Sequence, residues 1–128
     1  IGIELDSWGP LLPAPDGKFY PIKWNGRQFI PNTAIKPVKY FTEYCQQNRF
    51  RGFIYYEKYT TLQLSALKEL LIALCSKYKI SKQYTNEIWA ISGKALRGES
   101  GIFAHCSYRP DKSDVHPQPE LVSILKTL

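Results

Sequence analysis

The sequence predicts an α/β domain, a mixed sheet flanked by helices. Three observations carry this: an Asn25-Gly26 pair between two runs of β-formers, a capped leucine-rich helix pattern starting at Thr60, and a second helix pattern opening at Pro119. A length of 128 residues fits one domain with its own core. With 44% hydrophobic and 22% charged residues, the composition excludes disorder and low complexity.

Taking the elements in order, Ile1, Ile3 and Leu5 alternate with Gly2 and Glu4, which predicts a short strand over residues 1–5 with Glu4 on the opposite face. Trp8-Gly9-Pro10 and Pro13-Ala14-Pro15-Asp16-Gly17 are turn chemistry and predict a loop over residues 6–17. Phe19–Trp24 and Arg27–Ile30 flank Asn25-Gly26, the pair suited to a two-residue type I′ hairpin turn. From Pro31 to Tyr59, two prolines and eight aromatics between residues 40 and 59 predict loop with short strand pieces, the rings serving packing. Thr60 and Gln63 form a capping-box signature, and Leu64, Leu67, Leu70, Leu71 and Leu74 continue at helical spacing to about Tyr78, a stripe expected to face a sheet. A short helix is expected over Thr85–Ile91, a buried strand over Gly101–Cys106 and a loop over Ser107–Gln118. Pro119 then starts the last helix, with Leu121, Val122, Ile124, Leu125 and Leu128 as its apolar side.

Charge narrows the partners. Seventeen Lys and Arg against eleven Asp and Glu leave a net charge of +6, which suits polyanionic surroundings, an acidic cell wall among them. The cations are scattered, so they do not make a nucleic-acid arm. Arg51-Gly52-Phe53-Ile54-Tyr55-Tyr56 is similar to an RNA-binding strand motif, but Ile54, Tyr56 and Lys58 break its pattern. No nucleic acid is expected as a partner. No membrane is expected either, because the longest apolar run, Leu70–Cys75, is too short to span one. Cys45, Cys75 and Cys106 are odd in number and far apart, so free thiols of a protein folded in a reducing cytosol are expected.

The chemistry-bearing stretch is His105-Cys106-Ser107-Tyr108-Arg109-Pro110-Asp111-Lys112-Ser113-Asp114-Val115-His116-Pro117, which holds both histidines of the chain. An imidazole at a strand end and a carboxylate nine residues on can share one metal, and zinc suits that N/O mixture. On spacing alone, a hydrogen-bonded strand histidine and a loop or capping aspartate remain the ordinary reading. Only two ligands are clearly on offer, whereas a catalytic zinc takes three.

The run from Gly101 through Pro119 resembles the closing motif of zinc-dependent N-acetylmuramoyl-L-alanine amidases of type 2, the family of phage endolysin amidases, anhydro-muropeptide amidases and peptidoglycan recognition proteins. That motif is a strand ending in Gly-His, a loop with Pro, and Lys-x-Asp-Pro-Gly-Pro before a C-terminal helix. The opening Ile1-Gly2-Ile3-Glu4-Leu5 is similar to the strand on which the family carries a glutamate. The resemblance spans most of the chain and implies a peptidoglycan hydrolase that cuts the muramoyl-L-alanine amide with zinc-activated water. It assigns His105 and Asp114 as zinc ligands, Glu4 as general base and Lys112 as oxyanion stabiliser. Trp8, Tyr108 and Arg109 become candidate muropeptide contacts. A protein made in the bacterial cytoplasm, phage-encoded or not, and acting on the cell wall is the corresponding expectation.

Two departures accompany the resemblance. Ala104 stands where the motif has Gly, and Val115-His116-Pro117-Gln118-Pro119 replaces the plain Pro-Gly-Pro, which makes His116 an alternative ligand to Asp114. The family's first ligand histidine lies on a strand upstream of the Glu4 strand. The chain is therefore expected to be the C-terminal major part of the catalytic domain, completed by an upstream fragment or another copy. The contrasting expectation is a non-catalytic module that binds peptidoglycan or protein through an unfinished zinc site.

Overall fold

A computed structural model describes all 128 residues, which form two compact units, Ile1–Lys58 and Tyr59–Leu128. No helix is long and apolar enough to cross a membrane.

The first unit is a five-stranded sheet: β1 (Pro10–Pro13), β2 (Phe19–Trp24), β3 (Phe29–Pro31), β4 (Phe41–Glu43) and β5 (Tyr55–Glu57), in the order β3-β2-β1-β5-β4. Every pairing is antiparallel, so the expected mixed sheet is corrected to an antiparallel one. Short turns join β1 to β2 and β2 to β3, and antiparallel neighbours are what such turns allow.

β1 falls where a loop was expected. Its prolines sit at the two ends of the strand, where a missing N–H costs the ladder least. Leu11 between them is fully buried and pairs with Pro21 on one side and Tyr55 on the other. Residues 1–5, expected as a strand, join no ladder, and Ile1, Ile3 and Glu4 are exposed. Alternating apolar residues describe a face, but a strand also needs a neighbour to take its hydrogen bonds.

The hairpin forms with Trp24 opposite Phe29, so its loop is four residues and not the expected two. Asn25 is the cause: its Oδ1 accepts from the N–H groups of Arg27 and Gln28, both at 2.9 Å, and its own N–H donates to the Gln28 carbonyl. These local bonds replace the ladder bonds that Arg27 and Gln28 would have made. Gly26 alone of the pair adopts positive φ, at 97°.

Aromatic rings fill this unit. Tyr55 and Tyr56 are consecutive in β5 and so point to opposite faces. Tyr55 meets Phe19 and Phe41, while Tyr56 meets Tyr44, Phe50 and Phe53. The crowded aromatic stretch is thus packing, as expected.

The second unit contains α1 (Thr61–Tyr78), α2 (Gly93–Leu96) and α3 (Pro119–Lys126), with short 3-10 turns at Asn86–Trp89 and His105–Ser107. The capping box forms as expected, with Thr60 Oγ1 accepting from Gln63 N–H and Gln63 Oε1 from Thr60 N–H. Leu64, Leu67, Leu71 and Cys75 are the buried seam, and α1 packs on α3. Leu70, expected in the stripe, is 43% exposed. It lies roughly 60° round the helix from Leu67, outside the seam. Pro119 begins α3 as expected, burying Leu121 and Leu125.

The strand expected over Gly101–Cys106 is absent, and the unit contains no strand at all. Ser107 closes the segment on itself instead. Its N–H donates to the Ala104 carbonyl, and its Oγ accepts from Ala104 N–H, each at 3.0 Å. The Thr85–Ile91 helix is reduced to the turn Asn86–Trp89, and α2, capped by Ser92, was not foreseen.

Candidate metal centre

His105 and Asp114 meet. His105 Nδ1 and Asp114 Oδ2 are 3.0 Å apart, and both side chains are open to solvent. The backbone brings them together. His105 opens a 3-10 turn after Ala104, and the neighbouring Cys106 N–H donates to the Asp114 carbonyl at 3.3 Å. The turn is anchored beneath by Ser107 Oγ, which donates to the Ile88 carbonyl at 2.6 Å, and by the fully buried Cys106.

The intervening loop carries the other expected residues of this unit. Lys112, half-buried, stands two residues before Asp114, and its N–H donates to the Arg109 carbonyl. Tyr108 is exposed and meets Phe103 edge-on at 6.0 Å. Arg109 closes a two-pronged pair on Asp111, with Nε to Oδ1 at 3.0 Å and Nη2 to Oδ2 at 2.7 Å. That guanidinium holds the Asp111 carboxyl below its ordinary range. A substrate carboxylate would therefore compete with Asp111 for Arg109.

His116 sits differently. Its ring is buried and stacks on Tyr59 at 4.7 Å, whereas His105 and Asp114 are exposed. No third His, Cys, Asp or Glu of this unit joins the pair in a metal-holding group. The imidazole nitrogen and the carboxylate oxygen bond to each other, and two donors fall short of the three protein ligands that a catalytic zinc takes.

Glu4 and Trp8 belong to the first unit. Glu4 is exposed on the segment that forms no strand. Trp8 is 54% exposed, and its backbone N–H donates to the Glu57 carboxylate, which leaves the indole to solvent. Tyr59, Ser107 and Gln118, which support the loop, carried no sequence signal of that role beyond the two prolines flanking Gln118.

The chain matches no protein-family model, no curated protein and no solved structure.

Proposed function

We propose that the chain is the major part of a zinc-dependent N-acetylmuramoyl-L-alanine amidase of type 2, with the peptidoglycan of the cell wall as its substrate. One observation carries the reading: His105 and Asp114, nine residues apart in the run that resembles the amidase motif, meet side chain to side chain at 3.0 Å in solvent-open positions.

Zinc, when bound, supplies a Lewis acid and lowers the pKa of a water from about 15.7 toward about 7. His105 and Asp114 provide two of its three protein ligands. Lys112, on the same loop, is the cation for the charge that develops on the amide oxygen, and such a group acts most strongly where water is excluded. Its half-buried position suits that role. Glu4 takes the general-base role on the resemblance alone, and Trp8, Tyr108 and Arg109 remain muropeptide contacts on the same footing.

The competing reading is a non-catalytic peptidoglycan- or protein-binding module, and it is favoured by the count of two ligands in this unit. Zinc titration with a cell-wall lysis assay separates the two. His105→Ala and Asp114→Ala are expected to lose both zinc and lysis, whereas Lys112→Ala keeps zinc and loses turnover. Full lysis by His105→Ala would sink the amidase reading. Wall binding without lysis by the native protein would establish the module.

A further inference from the structure

Cations are scattered along the chain, but one stretch of the first unit has no carboxylate to answer them. Residues 17–42 hold five Lys and Arg and no Asp or Glu, so +5 of the net +6 sits there. Lys23, Arg27, Lys36 and Lys39 are exposed and form no salt bridge. Cations left without partners keep a positive field at the surface, and that field draws a polyanion.

The same stretch exposes two rings. Trp24 and Phe29 stand opposite each other in β2 and β3, 57% and 46% exposed, and meet edge to face at 5.1 Å. Asn25 N–H donates to the Gln28 carbonyl and Asn32 N–H to the Pro21 carbonyl, which makes Trp24 and Phe29 a non-hydrogen-bonded pair, the kind whose side chains approach most closely. Phe53 also meets Phe29, at 5.6 Å, and ties the pair to the buried Tyr56. Phe19, at the other end of β2, has Pro13 of β1 on one side and bridges to Val38 on the other, so Lys36 and Lys39 border the same margin of the sheet as the rings. Along the six residues of β2 that margin is about 20 Å long.

We propose that this margin binds an extended acidic polysaccharide, one sugar lying on the Trp24 ring and the carboxylates of its neighbours meeting Arg27, Lys36 and Lys39. An exposed indole offers an apolar body to the C–H face of a sugar, and the guanidinium fork matches a carboxylate. Two other polyanions fit less well. Single-stranded nucleic acid uses ring platforms in succession, whereas Phe29 is engaged by both Trp24 and Phe53. An anionic membrane would have to take up the rings, and the polar Asn25, Arg27 and Gln28 form the loop beyond them. The inference uses no residue of the zinc reading and stands apart from it.

The test measures binding of polygalacturonate to the full chain by calorimetry at low salt, beside a neutral cello-oligosaccharide, polyglutamate, oligo(dT) and phosphatidylglycerol vesicles. Polygalacturonate is expected to bind most tightly of the five and to weaken as salt is added. Trp24→Ala is expected to weaken it about 2–10-fold, and Arg27→Gln about 2–5-fold. Lys82→Gln and Tyr78→Ala, which remove an exposed cation and an exposed ring of the second unit, keep native binding. No binding of polygalacturonate, equal binding of polyglutamate or the neutral sugar, or an equal loss in the second-unit variants overturns the proposal. Tighter binding of oligo(dT) or vesicles overturns it too and gives the margin to that partner. An unchanged thermal midpoint shows that a loss is one of binding; should Trp24→Ala not fold, Arg27→Gln in the exposed loop decides.

Discussion

In the first unit the buried side chains are apolar or aromatic, Leu11, Ala14, Tyr20 and Tyr56, whereas the buried polar residues Ser92, Ser107, His116 and Gln118 all lie in the second. Ring contacts are broad and weakly directional, and they suit a sheet whose ladders already fix the backbone. Residues 101–118 have no ladder. Local backbone bonds and the side chains of Ser107 and Gln118, each making two hydrogen bonds, hold their backbone instead. The difference teaches how a loop can be held in place: exposed side chains such as His105 and Asp114 sit on buried polar groups, which give a loop the precision that regular structure gives elsewhere.

The contrast can be broken most sharply at Tyr56. It is fully buried, touches three rings and donates its hydroxyl to the Phe50 carbonyl at 2.7 Å. Tyr56→Ala is expected to destabilise the first unit by about 3–5 kcal/mol, read by urea unfolding. A loss under about 1 kcal/mol would show that the rings are not what holds the sheet.

Ser107→Ala probes the other side of the comparison. It removes few atoms but leaves Ala104 N–H and the Ile88 carbonyl without their hydroxyl partner, at an expected cost of about 1–3 kcal/mol. The distinguishing readout is local: the His105 and Asp114 resonances should shift, because the turn that presents His105 is closed by this hydroxyl. A stability loss with those resonances unmoved would assign Ser107 to general packing.

The smallest effect concerns pH. Tyr20 donates its hydroxyl to Asp16 Oδ2, which holds the Asp16 carboxyl below its ordinary value of 3.8, helped by the Lys18 N–H. A carboxyl depressed on folding contributes stability that is fully present above its unfolded pKa and is lost as pH falls through the folded value. The native protein should therefore lose stability below pH 3.8, and Tyr20→Phe should flatten that loss without changing its sign. Urea midpoints at neutral and acid pH report it, and equal slopes in the two proteins would remove Asp16 from the account.

Legibility followed the range of the signal. Thr60 with Gln63, and Pro119 before an apolar stripe, each state a helix start within one turn, and both helices begin there. The hairpin was readable from Asn25-Gly26, but its loop length was not, because the Asn25 side chain competed with the ladder. Residues 1–5 and 101–106 show strand-like composition and form no strand, while Pro10–Pro13 shows turn composition and becomes the central one. Strand pairing is a contact between distant residues, and composition cannot supply the partner. Of the site, the pairing of His105 with Asp114 was legible through the motif; the burial of His116 and the support from Tyr59 and Gln118 were not.

The amino-acid sequence by itself determined the helix starts, the place of the hairpin and the apolar seam of α1. These depend on neighbours a few positions away, whose geometry the backbone imposes. The tertiary structure alone decided that β1 is central, that 101–106 is a closed turn, and that His116 turns inward while His105 and Asp114 stay open. Those outcomes depend on which distant groups satisfy each buried N–H, carbonyl and amide, and that accounting closes only when the chain is folded.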